Sequence, residues 1–136
     1  MAVSFQLDVI TPEEQMLSED AGFIVAPGVD GCFGVLPGHA HLVTLLNAGE
    51  LSVGWGEKPD RYAISGGYAE VTAERVTILV ERAVAKLDID PSVAREEMAE
   101  AQKELDKLVI SDPEWSFWNK RLNYAKACLE VHSKKD

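Results

Sequence analysis

Hydrophobic and polar residues alternate over short stretches in the first part of the chain. Phe5, Leu7 and Val9 are separated by single polar residues, and Thr11-Pro12 interrupts the run. A period of two is typical of strands with one buried face. Turn residues recur about every 8–12 positions, as in a β-sandwich or barrel. The pattern predicts further strands over residues 22–26, 32–36, 51–55, 62–64, 68–72 and 76–80.

The period changes to that of a helix after residue 88. Asp90 is a suitable N-cap and Pro91 suits the first helical position, where its missing N–H costs nothing. The same opening recurs at Asp112-Pro113. Apolar residues then follow each opening at spacings of three and four, which predicts two antiparallel helices whose seams face each other. The first seam is Ala94, Met98, Ala101, Leu105 and Leu108, and the second is Trp115, Trp118, Leu122, Ala125 and Leu129.

The second helix carries a further apolar stripe beside its seam. The stripe consists of Phe117, Tyr124, Cys128 and Val131, and Arg121 interrupts it. A helix with two apolar stripes has to bury both, so the second stripe packs either on the β-structure or on a partner. Internal packing is the commoner use, and we expect it here. The pattern predicts two domains, with a boundary between residues 87 and 88.

Composition and charge reduce the number of possible classes of function. The chain has 136 residues, of which 46% are hydrophobic and 26% charged, as expected for a globular protein. Its net charge is -10, which makes nucleic acid a poor partner because phosphate contacts need clustered Lys and Arg. The first residues lack the features of a signal peptide, and no apolar run is long enough for a membrane span. The two cysteines, Cys32 and Cys128, form no disulfide framework or metal motif.

Candidate catalytic chemistry is sparse. His39 and His41 would lie on one side of an extended segment, as a metal pair requires, but a third ligand is not apparent nearby. The segment 65–67, Ser-Gly-Gly, lacks the Lys-Ser/Thr ending of a phosphate-binding loop, so a tight turn is expected there. Neither cysteine has the cationic neighbours that activate a thiolate. We therefore expect no enzyme activity, no metal and no cofactor, with a metal-dependent enzyme using the two histidines as an alternative hypothesis.

Three sequence motifs resemble a known family. Residues 27–42, PGVDGCFGVLPGHAHL, precede an L-x-x-G-x-L element at residues 46–51. Residues 5–13 read FQLDVITPE, and residues 64–71 read ISGGYAEV. These strings resemble the epsilon subunit of bacterial F-type ATP synthases, which corresponds to the mitochondrial delta subunit. The resemblance covers essentially the whole chain and implies a ten-stranded β-sandwich at residues 1–87 and a two-helix hairpin at residues 88–136.

The resemblance also implies partners and contact residues. A family member of this kind is a non-catalytic rotor subunit of the central stalk, which couples the ring of c subunits to gamma at the cytoplasmic face of the inner membrane. It implies that residues His39, His41, Leu42 and Thr44 contact gamma. It implies that the ring contact comprises Val29, Asp30, Gly31, Cys32 and Phe33. Many members have an acidic residue where Cys32 stands.

In many bacterial members the two helices also regulate the enzyme, by extending to the catalytic alpha/beta head and blocking ATP hydrolysis. The resemblance implies such a contact for Lys120, Arg121 and Lys126. Members that bind ATP carry an I/L-D-x-x-R-A motif, and here Val93 occupies the arginine position. Because the guanidinium that would pair with phosphate is missing, we expect no ATP binding. A nucleotide-sensing subunit remains an alternative hypothesis.

Overall fold

The computed structural model describes residues 3–54 and 58–135. Ten strands precede two helices, with a short 3-10 turn at Lys86–Asp88 between them. The strands are β1 Phe5–Ile10, β2 Gln15–Ala21, β3 Ile24–Gly28, β4 Gly31–Val35, β5 Leu42–Leu46, β6 Gly49–Val53, β7 Asp60–Ile64, β8 Gly67–Val71, β9 Arg75–Val80 and β10 Ala83–Ala85. The helices are α1 Pro91–Leu105 and α2 Trp115–Ser133.

The strands form a sandwich of two five-stranded layers. One layer has the order β2-β1-β9-β8-β5 and the other β4-β3-β6-β7-β10. They join where Gly28 of β3 pairs with Leu46 of β5, and β1 and β9 run parallel while the other pairs are antiparallel. Side chains from alternate positions of both layers fill the space between them, because successive strand residues point to opposite faces. The core includes Leu7, Ile24, Leu51, Ile64, Val71 and Ile78.

The helices form an antiparallel pair that packs on the outer face of the second layer. The two helices contact each other along most of their length, and α2 also contacts β6, β7 and the 3-10 turn. Ala94, Ala101, Leu122 and Ala125 are buried, as the predicted seams require. The pair is called the helical hairpin below. The β-sandwich followed by a helical hairpin confirms the predicted fold.

The second stripe of α2 is buried against the sandwich over most of its length. Tyr124, Cys128 and Val131 form a cluster with Ala63 of β7, and Val84 of β10 packs against that cluster. The stripe therefore packs internally, as expected. Phe117 is the exception, because it is 55% exposed at the opposite end of the stripe.

Three predicted element boundaries were wrong. Helix α2 does not begin at Pro113 but at Trp115, because the preceding residues form tight turns in which the Asp112 carboxylate accepts a hydrogen bond from the Glu114 N–H at 2.9 Å. The chain passes from α1 to α2 through residues 106–114, so Leu108 lies beyond the end of α1 rather than in its seam. Strand β3 continues through Pro27-Gly28, where a stop was predicted.

Strands β2, β5 and β10 were not predicted as separate strands. The outer strand β2 pairs only with β1 and exposes most of its residues, so it lacks the hydrophobic alternation that marks a half-buried strand. Strand β10 has only three residues. Trp55, which was assigned to a strand with Leu51 and Val53, lies outside the described residues.

Candidate interaction surfaces

An uncovered row of apolar side chains crosses the outer face of the first layer. Leu45 of β5 pairs with Tyr68 of β8, and Tyr68 pairs with Leu79 of β9. With Val43, one strand period away on β5, these residues form the outer apolar strip, and each is between 44% and 61% exposed. Their neighbours along the strands point into the core, so the strip arises from strands that are apolar on both faces. Contiguous apolar surface of this kind marks a binding site.

The strip continues into a groove beside the helical hairpin. The groove has a volume of about 800 Å³ and separates β5 and β8 from the first turns of α2. Phe117, Lys120 and Arg121 line its helical side. The Arg121 guanidinium lies 5.6 Å from the ring centroid of Phe117 and 5.7 Å from that of Trp118, so neighbouring aromatic rings hold it in place. The groove thus has an apolar floor and a cationic wall.

The residues predicted to contact gamma fall into two groups. His39 and His41 lie in the loop before β5, where His41 is exposed and the Nδ1 atom of His39 is 2.6 Å from the Ala40 carbonyl oxygen. Leu42 begins β5 and packs against the sandwich core, and Thr44 has the same inward orientation. The outward positions of β5 are Val43 and Leu45. Sequence reasoning missed both, although a strand with apolar residues on both faces is a signal that each face has to be covered.

The predicted ring-contact residues form the tip of the β3–β4 hairpin. Val29, Asp30, Gly31 and Cys32 are exposed at this tip, whereas the ring of Phe33 packs partly on the core. Gly31 has a φ of 126°, a conformation that L side chains rarely adopt. A Cβ on Gly28 would lie 2.7 Å from the Gly31 carbonyl oxygen. Two glycines therefore allow the narrow turn that presents this tip.

The basic residues predicted to contact the catalytic head lie on α2. Lys120 and Lys126 are exposed, and Arg121 is half-buried. They are not gathered into one patch, since Lys120 and Arg121 line the groove described above and Lys126 lines a small polar cleft with Asn47 and Glu130. The structure therefore separates the three residues between two surfaces.

A cleft of about 320 Å³ lies where the sandwich meets the start of α1. It is lined by Ile89, Asp90, Val93 and Ala94 of the segment that resembles the ATP motif. The Asp90 carboxylate is engaged as the helix N-cap, accepting hydrogen bonds from the N–H groups of Ser92 and Val93. The other carboxylates of the lining belong to Glu13, Glu14, Glu81, Asp88 and Glu97. A cleft with this charge repels a polyphosphate.

Arg82, which sequence reasoning did not single out, connects the sandwich to both helices. It lies between β9 and β10, and its guanidinium donates two hydrogen bonds of 3.1 Å to the Glu97 carboxylate of α1. The same guanidinium lies 4.2 Å from the ring centroid of Tyr124 on α2. Burial raises the pKa of the Tyr124 hydroxyl and also that of the neighbouring Cys128 thiol, so both groups are neutral at physiological pH.

Within residues 3–54 and 58–135, no group of three His, Cys, Asp or Glu side chains is arranged to hold a metal ion. The segment Ser65-Gly66-Gly67 forms the predicted tight turn, between β7 and β8. A Cβ on Gly67 would lie 2.0 Å from the Leu79 carbonyl oxygen, so this residue has to be glycine for β8 and β9 to pair. In the described part of the chain, neither helix is long and apolar enough to cross a membrane.

A β-sandwich with a packed helical hairpin and an uncovered apolar strip defines a binding subunit. A family model described as "ATP synthase, Delta/Epsilon chain, beta-sandwich domain" matches residues 4–86. The chain belongs to the family of ATP synthase delta/epsilon chains, which confirms the resemblance found in its motifs. It is accordingly a non-catalytic subunit and not an enzyme.

Relatives match the chain over nearly its whole length. The ATP synthase epsilon chain of Magnetococcus marinus is 37% identical over 129 residues, covering 95% of this chain and 94% of the relative. ATP synthase epsilon chain 2 of Syntrophotalea carbinolica is 38% identical over 131 residues, covering 96% and 95%. The match therefore includes the helical hairpin as well as the sandwich.

Chains in solved ATP synthase structures share the fold. A chain of the Euglena gracilis mitochondrial ATP synthase, from a structure of OSCP, F1 and c-ring, superimposes with a TM-score of 0.76 at 28% identity, covering 96% of this chain and 82% of that one. A chain from the central stalk and c-ring of the Tetrahymena thermophila enzyme shares the fold at a TM-score of 0.63 and 12% identity, covering 95% and 96%.

Proposed function

We propose that this chain is a rotor subunit of the central stalk of a proton-translocating bacterial ATP synthase, in which it joins the gamma subunit to the ring of c subunits. The observation that carries the proposal is the outer apolar strip. Its four side chains remain exposed although the helical hairpin covers the other outer face of the sandwich. A subunit that works inside an assembly needs such a surface for a permanent neighbour.

Gamma is the neighbour we assign to the strip. The strip adjoins the loop of His39 and His41, which the family resemblance associates with gamma, and Val43 and Leu45 extend that loop into the strip. We assign the c-ring to the tip of the β3–β4 hairpin. The strip and the tip would then bind different partners at the same time, which is what transmission of torque requires. The subunit would sit at the cytoplasmic face of the inner membrane through these contacts.

The helical hairpin is a candidate inhibitor of ATP hydrolysis. Lys120, Arg121 and Lys126 would meet the catalytic head only after the hairpin leaves the sandwich, since the docked hairpin divides them between two surfaces. We expect the assembled catalytic head to hydrolyse ATP faster with a chain lacking residues 89–136 than with the full chain. Equal rates would contradict inhibition. We expect no ATP binding, because six carboxylates and a single guanidinium, that of Arg82, line the cleft at Asp90.

The central proposal is tested by binding of the purified chain to its gamma subunit. We expect a stable complex on native gel filtration and a loss of affinity of at least about tenfold for Leu45→Asp and Tyr68→Asp, since a charge in the apolar centre of an interface is left unpaired. The matched control is Leu87→Asp, because Leu87 is 93% exposed on the 3-10 turn, away from the strip. Failure of the unmodified chain to bind gamma would refute the proposal.

A further inference from the structure

Arg82 is placed to control how firmly the helical hairpin is held. Its two hydrogen bonds to Glu97 engage α1, and its position over the Tyr124 ring engages α2. Arg can donate two parallel hydrogen bonds to one carboxylate, which a Lys ammonium cannot reproduce, and its planar guanidinium can also lie over an aromatic ring. One side chain of the sandwich thus binds both helices at once.

The sequence around Arg82 fixes its backbone. The Ser65 N–H donates to the Arg82 carbonyl oxygen at 2.9 Å, and the Arg82 N–H donates to the Ser65 hydroxyl oxygen at 2.9 Å. Ser65 opens the turn of the motif ISGG, in which Gly66 lies close to the Leu46 carbonyl oxygen of β5 and Gly67 close to the Leu79 carbonyl oxygen of β9. The turn therefore holds Arg82 at the corner of the sandwich that faces the helices. This gives the serine of the motif a role that does not involve phosphate.

The rest of the contact between sandwich and hairpin includes several small side chains. Three of its seven buried residues are alanines, which bury little apolar area each, and the others are Ile89, Tyr124, Cys128 and Val131. A further hydrogen bond, from Lys86 Nζ to the Lys134 carbonyl oxygen, holds the far end of α2. Because the apolar contribution is small, a polar contact that spans both helices has a large share in the free energy of docking.

We propose that Arg82, Glu97 and Tyr124 form a latch that sets the equilibrium between the docked and the released helical hairpin. The inference deepens the proposed function, since a regulatory hairpin has to leave the sandwich. Release would expose Cys128, which in the docked state is buried beside Tyr124. Local release of this kind is an equilibrium of the native protein and is measurable without unfolding the sandwich.

The chain carries its own reporter for this equilibrium. Cys32 is exposed at the tip of the β3–β4 hairpin, whereas Cys128 is buried under the latch. A maleimide therefore labels Cys32 whatever the hairpin does and labels Cys128 only on release. The ratio of the two labelling rates, measured by mass spectrometry on the isolated full-length chain, gives the released fraction.

We expect Arg82→Ala to raise the labelling of Cys128 relative to Cys32 by roughly fivefold to thirtyfold, from the loss of a part-exposed ion pair and a cation–π contact. Arg82→Lys should raise the labelling ratio by an intermediate amount, because lysine keeps the positive charge but cannot donate two parallel hydrogen bonds to the Glu97 carboxylate. Glu97→Gln should also raise the ratio. The matched control, Glu96→Gln, changes a neighbouring exposed carboxylate of α1 and should leave the ratio unchanged.

Two results would overturn the latch. The first is a ratio of Cys128 to Cys32 labelling in Arg82→Ala that equals the ratio in the unmodified chain. The second is faster amide hydrogen exchange in β9 by the same factor as the faster labelling of Cys128, since Arg82 would then stabilise the whole fold and not the docking of the hairpin. Neither measurement involves gamma or the c-ring. A failed latch therefore leaves the proposed function standing, and failure to bind gamma leaves the latch standing.

Discussion

The core of the sandwich and the contact under the helical hairpin are built from different side chains. The largest fully buried residues of the chain are almost all in the sandwich, among them Leu7, Ile24, Leu51 and Ile78. The contact under the hairpin has Val131 as its one fully buried branched aliphatic residue. Its other buried members are three alanines, Tyr124, Cys128 and Ile89, and Val84 and Leu129 pack partly buried against them. Each buried methylene contributes about 0.8 kcal/mol. Burial of large aliphatic side chains therefore stabilises the sandwich, whereas fewer and smaller apolar contacts and the proposed latch hold the hairpin.

The proposed function requires a rigid platform and a releasable element in one chain, and this difference fits that requirement. A platform that transmits force has to resist opening, and a tightly packed aliphatic core provides that resistance. A regulatory element has to open at a modest cost in free energy, which alanine contacts and a part-exposed ion pair allow.

The largest effect is expected from a cavity in the sandwich. Leu7 is fully buried in β1, so Leu7→Ala should lower the free energy of unfolding by about 2–5 kcal/mol through lost burial and an unfilled cavity. Urea unfolding monitored by circular dichroism measures the change. Leu87→Ala is the matched control, with an expected change near zero because the side chain is exposed. An equally small effect of Leu7→Ala would show that the sandwich core is not the rigid part.

An intermediate effect is expected from the buried carboxylate of the sandwich. Asp8 is 4% exposed, and its Oδ1 atom accepts hydrogen bonds from Gln6, Gln15 and Ser18 while Oδ2 pairs with Arg75 at 3.2 Å. Hydrogen bonds from Gln6 and Ser18 and the charge of Arg75 lower the pKa of Asp8 from its ordinary value of 3.8, against the opposing effect of burial. The ionised form is thus the one the fold stabilises.

Asp8→Asn should therefore lower the free energy of unfolding at pH 7 by about 1–3 kcal/mol. An amide has only one acceptor oxygen, so its N–H₂ group would face either the guanidinium of Arg75 or the donors on the other side. Since the folded pKa is lowered, this contribution of Asp8 is complete above the unfolded pKa and is lost as the pH falls through the folded pKa. The difference in the free energy of unfolding between the unmodified chain and Asp8→Asn should then decrease below about pH 4. Urea unfolding at a series of pH values tests this, with Asp30→Asn at the exposed β3–β4 tip as control. If this difference in the free energy of unfolding stays constant down to the lowest pH, the ionised carboxylate is not its cause.

The smallest effect on the sandwich is expected from removing the helical hairpin altogether. A chain ending at residue 88 loses α1 and α2 but retains the whole core between the two layers. We expect it to remain soluble, to unfold cooperatively and to bind gamma, with a smaller loss of stability than Leu7→Ala causes. Gel filtration and thermal unfolding measure this. An aggregated or non-cooperative product would contradict the division into two domains at residues 87 and 88.

The local elements were largely predictable from the sequence. Strand β1 ends at Ile10, directly before the predicted stop, and α1 begins at Pro91 after the predicted cap Asp90. These features depend on residues close together in the chain, so a local pattern is sufficient. Strand β2 escaped prediction because most of its residues are polar or exposed, so that Leu17 and Ala21 alone do not produce a clear hydrophobic period. The start of α2 was placed two residues early because Asp-Pro suits a turn as well as a helix opening.

The family, the strand and helix periods, and the two apolar stripes of α2 can be read from neighbouring residues or from a motif. Which apolar residues stay uncovered depends on how the elements pack. Val43, Leu45, Tyr68 and Leu79 look like core residues in the sequence, and they form a strip because the helices pack on the other layer. The structure also brought Arg82 to Glu97 and Tyr124. Residues so far apart in sequence meet only when the packing of sandwich and helices is set, and no local pattern encodes that geometry.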